Sequence, residues 1–162
     1  MPSAKPQKFA MTVRLPLGVA GLISPWNFPI EIPTRKIFYS LVCGNTAVLK
    51  PSSDTPICAT KLVEILQKTG LPAGVLNLMT GSGEEVGMPL VKDKRVQVIS
   101  FTGNKETGAT ILREAGIKRV NLELDGKNPI IVMDDTDLEL EVSRVIWVAM
   151  KHRGKDAQPH QE

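Results

Sequence analysis

Residues 96–116 read VQVISFTGNKETGATILREAG. The apolar, β-branched run Val96–Phe101 predicts a strand, with Gly103 as the turn that follows it. NKETGATILREA then predicts a helix, closed by Gly116. The same alternation extends in both directions. Upstream, VAGLIS (19–24) predicts a strand ended by Pro25. PTRKIFYSLVCG (33–44) predicts a helix with Pro33 in its first turn and Gly44 past its end. NTAVLKP (45–51) predicts a strand stopped by Pro51. DTPICATKLVEILQKTG (54–70) predicts an amphipathic helix capped by Asp54 or Thr55 and closed by Gly70. GVLNLMTG (74–81) predicts a strand and turn, and GEEVGMPLVKD (83–93) a short helix. Downstream, RVNLELDG (119–126) and NPIIVM (128–133) predict two more strands. DTDLELEVSRVIWVAM (135–150) predicts a helix capped by Asp135 or Thr136.

Strands alternating with helices at this spacing require crossover connections. They predict an α/β fold with a mainly parallel sheet and helices on both faces. Such sheets hold ligands at the carboxyl ends of their strands. The loops after Ser24, Leu49, Met79, Phe101 and Leu124 are therefore expected to share one rim.

Composition excludes several classes. The 162 residues are 42% hydrophobic and carry a net charge of +3, from 20 basic and 17 acidic residues. That balance is too mild to argue for nucleic acid or an anionic membrane. No apolar run approaches the ~20 residues of a membrane span. The start MPSAKPQKFAM lacks the apolar stretch of a secretory signal. Two cysteines, Cys43 and Cys58, make a poor disulfide framework and fit a reduced, cytoplasmic setting. Residues 1–10 read as a loose arm, 11–150 as one domain and 151–162 as a polar tail.

Unusual residues fall in the rim loops. SPWNFP (24–29) brackets Asn27 between two prolines. A rigidly held Asn can present its amide N–H to an oxyanion, or simply bond backbone in a stiff turn. Lys50 leaves the end of a strand, to reach a ribose or phosphate or to stand in solvent. In FTGNKETG (101–108), Gly103 permits close backbone approach and the helix start offers free amides to a phosphate. The alternative is an ordinary β–α turn. Glu123 lies inside an apolar strand, where half-burial would raise its pKa for general-base work; the alternative is a sheet-edge Glu paired with a cation. Glu84, Glu85, Asp134, Asp135 and Asp137 read as helix-start charge and capping, not metal ligands.

PLGVAGLISPWNFP, GNTAVLKPS, GLPAGVLNLMTGSG, ISFTGNKETG and VNLELDGKNPIIVMDDTDLE occur in this order. Over residues 11–147 the chain closely resembles the cofactor-binding domain of the aldehyde dehydrogenase superfamily, a Rossmann-type sheet that binds NAD or NADP. The resemblance implies that Asn27 is the oxyanion-hole amide and Glu123 the base. It implies that Lys50 contacts the adenosine ribose, that Trp26 and Gly103 lie along the cofactor, and that Leu124 sits near the nicotinamide. Ser24, Ser53, Gly83 and Asn104 complete the implied cofactor side. Arg35 matches an arginine that some semialdehyde dehydrogenases direct at a substrate carboxylate; its alternative is a helix-surface arginine. The family oxidises small aldehydes and forms homo-oligomers.

Several positions depart from the family pattern. Asp125 replaces the first of two glycines after the Glu-Leu pair, and is expected to raise the pKa of Glu123 and crowd the cofactor. Ser53 stands where NAD-preferring members often carry Glu, so a 2′-phosphate is not repelled and NADP is tolerated. The Gly-Gln-x-Cys nucleophile segment does not occur, and Cys43 and Cys58 read as packing residues. The codons that can encode His152–Pro159 permit Ser-Gly-Gln-Arg-Cys-Thr-Ala in a displaced frame, so the tail reads as a frameshifted nucleophile segment; the alternative is an unrelated tail. By itself the chain is expected to be inactive, with exposed apolar surface where the family has further domains. The alternatives are a non-catalytic nucleotide-binding or docking module, or a truncated product without function.

Overall fold

The computed structural model describes residues 9, 11–126 and 129–150, the side chains of 148 and 149 excepted. The polar tail, with its displaced-frame reading, lies outside the described residues, as does nearly all of the N-terminal arm.

Five strands form one all-parallel sheet in the order β3-β2-β1-β4-β5. They are β1 (Val19–Ile23), β2 (Thr46–Lys50), β3 (Leu76–Leu78), β4 (Val96–Gly103) and β5 (Arg119–Leu124). Between them run α1 (Glu31–Val42), α2 (Pro56–Lys68), α3 (Met88–Lys92) and α4 (Lys105–Glu114). A π-helical turn, Gly83–Gly87, leads into α3. The last helix, α5, spans Leu138–Met150.

Side chains alternate across a strand, so each face of the sheet gathers its own core. One core joins Ala20 and Leu22 of β1 to Leu49 of β2, Ile37 of α1 and Val63 of α2. The other joins Ile23 of β1 to Ile99 and Phe101 of β4, Val91 of α3 and Ile111 of α4. Helices thus cover both faces, as the strand–helix alternation predicts. The chain builds outward from β1 to β3, then returns to place β4 beside β1. The carboxyl ends of β1 and β4 therefore flank a topological switch point.

Two sequence expectations are corrected. NPIIVM is not a strand: Pro129–Met133 run irregularly and Ile131 is exposed. An apolar run becomes a strand only beside a partner ladder, and β5 closes the order of strands among the described residues. The α5 cap is neither Asp135 nor Thr136 but Asp137, whose Oδ1 accepts from the amides of Glu139 (3.1 Å) and Leu140 (3.3 Å). At α2 the cap residue is Thr55, without a capping side-chain bond. The expected exposed apolar surface is present on α5, at Leu138, Val142, Ile146 and Met150.

Candidate active site

Parallel pairing sets the heights of the rim. Ile23 is level with Lys50 and with Phe101, and Thr102 and Gly103 are level with Glu123 and Leu124. One open cleft of about 2370 Å³ runs along these ends. That exceeds a pocket for a single small molecule, about 300–1,000 Å³, and leaves room for an elongated ligand. Asn27, Glu123, Ser24, Trp26, Lys50, Ser53, Gly83, Gly103, Asn104, Leu124 and Arg35 all line it.

At the end of β1, Ser24 is buried, and its Oγ has no hydrogen-bond partner among the described residues. An unsatisfied buried hydroxyl is costly, so a ligand hydroxyl at the switch point would relieve it. Asn27 Oδ1 accepts from the amide of Phe28 at 3.1 Å. The backbone bond of the stiff-turn reading is thus made, and it also fixes the plane of the Asn27 amide.

Lys50 is not a solvated lysine. It is 6% exposed, and burial lowers its pKa, offset in part by the charge of Asp54. Ser53 Oγ donates to the carbonyl of Gly81 at 3.0 Å, tying the loop after β2 to the loop after β3. No carboxylate occupies position 53.

Beyond β4, the carboxamide of Asn104 caps α4: Oδ1 accepts from the amide of Thr107 at 2.8 Å. That oxygen is committed to the helix. Gly103 has a packing reason of its own. A Cβ there would stand 2.6 Å from Phe101 Cζ, so only glycine admits the buried ring.

Glu123 is exposed, not half-buried, because β5 has a sheet neighbour on one side only among the described residues. Burial is therefore not what prepares this carboxylate. The residue that sequence reasoning missed is Lys36 on α1. Its Nζ donates to Ser100 Oγ of β4 at 2.8 Å, and its charge interacts with Glu123. Burial lowers its pKa to about 8, and the carboxylate of Glu123 opposes that shift. The available signal was positional: Lys36 lies beside buried Ile37 and one turn after buried Pro33, on the inward face of α1. Arg35, on the same helix, faces the cleft exposed and meets Glu31 at 3.4 Å, a surface pair worth little.

The switch-point order and a rim that gathers hydroxyl, amide and cation groups define a Rossmann-like nucleotide-binding domain. Its family follows from comparison with known proteins. The aldehyde dehydrogenase family model matches residues 1–158, and the chain belongs to that family. It is 49% identical over 144 residues to the 2,5-dioxopentanoate dehydrogenase of Saccharolobus solfataricus, covering 86% of this chain and 30% of that protein. It is 43% identical over 158 residues to the alpha-ketoglutaric semialdehyde dehydrogenase of Bacillus subtilis, covering 96% of this chain and 32% of that protein. A crystal structure of a mutant aldehyde dehydrogenase C from Pseudomonas syringae, with NAD+ and octanal, superposes with a TM-score of 0.87 at 38% identity, over 89% of this chain and 30% of that one. The chain thus spans about a third of the length of the relatives it matches.

Proposed function

We propose that this chain carries the nicotinamide-dinucleotide cleft of an aldehyde-oxidising enzyme, together with its oxyanion amide, Asn27, and its base, Glu123. The carrying observation is that every implied cofactor and catalytic residue lines one cleft at the switch point. Ser24, Lys50 and Asn104 fit a dinucleotide in chemistry: an unsatisfied hydroxyl, a cation and a helix N-terminus. When bound, the nicotinamide supplies the hydride acceptor. In a full-length enzyme that supplies the nucleophile, Asn27 would steady the oxygen of the tetrahedral adduct, and Glu123 would take a proton from the nucleophile or the deacylating water. Lys36, held by its bond to Ser100, presents its charge to that carboxylate.

Ser53 leaves room for a 2′-phosphate, so both NAD and NADP are accommodated. Asp125 lines the cleft next to Glu123 and weakens cofactor binding by crowding it. The substrate class is a small aldehyde bearing a carboxylate. Support for this comes from a relative named as an alpha-ketoglutaric semialdehyde dehydrogenase and from Arg35, a cation that lines the cleft. The setting is cytoplasmic, which two unpaired cysteines suit, and no helix among the described residues is long and apolar enough to cross a membrane. Homo-oligomerisation follows the family.

The 162 residues contain no Gly-Gln-x-Cys segment. By themselves they bind cofactor without turning over aldehyde. Titration calorimetry of the purified chain with NAD and NADP, beside an aldehyde oxidation assay, tests this. Binding without turnover is expected. Turnover would overturn the inactive reading, and failure to bind either dinucleotide would overturn the cleft assignment.

A further inference from the structure

Glycine inside a helix costs about 0.5–1 kcal/mol relative to alanine, so a glycine in the body of α4 calls for a reason. Gly108 is such a residue, buried in the second turn of the helix. A Cβ built on it would lie 2.6 Å from Leu124 Cδ2 and 3.2 Å from Cδ1. The Leu124 side chain therefore rests in the notch that the missing methyl leaves. Leu124 ends β5, level with Gly103, and lines the cleft. It is 37% exposed, so its inner part is seated against the helix while the rest borders the open space. The end of β5, the last strand in the order among the described residues, and the helix beside it thus define the position of one apolar side chain on the cleft wall.

We infer that Gly108 is a positioning residue for the nicotinamide half of the cofactor: it sets how far Leu124 stands into the cleft. This rests on the proposed cofactor cleft, with Leu124 at its nicotinamide end. A methyl at position 108 leaves two adjustments. Leu124 rotates outward and occupies cleft volume, or the end of β5 moves off α4 and takes Leu124 with it. Either way the wall changes at the nicotinamide end. The adenosine end, built by Lys50 and Ser53 on the far side of β1, has no part in the contact.

NAD and ADP-ribose separate these ends, because ADP-ribose lacks the nicotinamide ring. Titration calorimetry of the full chain with both ligands is run for the wild type, Gly108→Ala, and Gly108→Ala combined with Leu124→Ala. For Gly108→Ala, NAD affinity is expected to fall about tenfold, the scale of one overpacked methyl. ADP-ribose affinity is expected to hold, and the double variant to recover most of the loss in NAD affinity. Equal loss of both ligands, or no loss of either, would overturn the inference while leaving the cleft assignment standing. A wild-type chain that binds neither ligand would overturn the cleft assignment, and the inference with it. Circular dichroism monitors folding. If Gly108→Ala alone does not fold, the double variant decides: recovered fold and NAD binding support the notch, and no recovery overturns it.

Discussion

Lys36 Nζ donates to Ser100 Oγ at 2.8 Å, bridging α1 and β4 across the mouth of the switch point. Burial lowers the lysine pKa to about 8 from 10.5, so the folded chain holds this proton less firmly than the unfolded chain does. The unfolded state then binds more protons between those two values, and the contribution of Lys36 to stability rises with pH across that interval. Below about 8 the penalty is present in full. Urea midpoints measured across the interval are expected to climb for the wild type and to climb less for Lys36→Met. Glu123→Gln removes the charge that opposes the shift, so the climb is expected to begin at lower pH. An unchanged slope in Lys36→Met would show that another group carries it.

Ser24→Ala separates stability from binding. It removes a buried hydroxyl without a partner among the described residues, and the free chain is expected to gain about 1 kcal/mol, since an unsatisfied buried group costs roughly 1–3 kcal/mol. NAD affinity is expected to drop by about threefold to tenfold, from one lost hydrogen bond of about 0.5–1.5 kcal/mol. Thermal melts with and without NAD read both effects. A variant that is less stable and binds NAD as before would show that the hydroxyl serves the fold.

Ser53→Glu places a carboxylate where the loop after β2 meets Gly81. Coulomb repulsion with a 2′-phosphate is worth about 1–4 kcal/mol at surface dielectric. NADP affinity is expected to fall at least tenfold, with NAD changing far less. Paired calorimetric titrations give the ratio, and equal changes for the two dinucleotides would place the 2′-phosphate elsewhere.

Ile37 is fully buried on α1, the helix that carries Lys36 and Arg35. Ile37→Ala is expected to cost about 2–5 kcal/mol in urea unfolding, the range for emptying an aliphatic core position. A loss below about 1 kcal/mol would mean that α1 is not held by this contact.

Much of the fold could be read in the chain because each strand and helix is bounded by its own punctuation. Gly44, Gly70 and Gly116 end helices with positive φ, and the apolar runs of β1, β2 and β4 sit where their side chains are buried. NPIIVM failed because pairing is a property of two strands, and one run of letters does not supply the second. The α5 cap was missed among adjacent polar residues, although the apolar periodicity that starts at Leu138 points to Asp137. At the site, the shared rim followed from topology, while most of the residues proposed on it came from the family resemblance. The exposure of Glu123 did not, because a strand's burial depends on what lies beside it. Lys36 stayed hidden because a lysine on a helix reads as solvated unless its turn is counted against Pro33 and Ile37.

The rim draws on both halves of the sheet, with Lys50 on one side of the switch point and Asn104 on the other. A molecule long enough to touch both acts as a noncovalent strut between two separately cored layers. In the free chain the α1–α2 layer and the α3–α4 layer, each with its own core, are expected to open separately; with the strut in place, opening either one would first have to release the ligand. Amide exchange in the two layers is then expected to slow together on binding, although the ligand reaches only the ends of their strands.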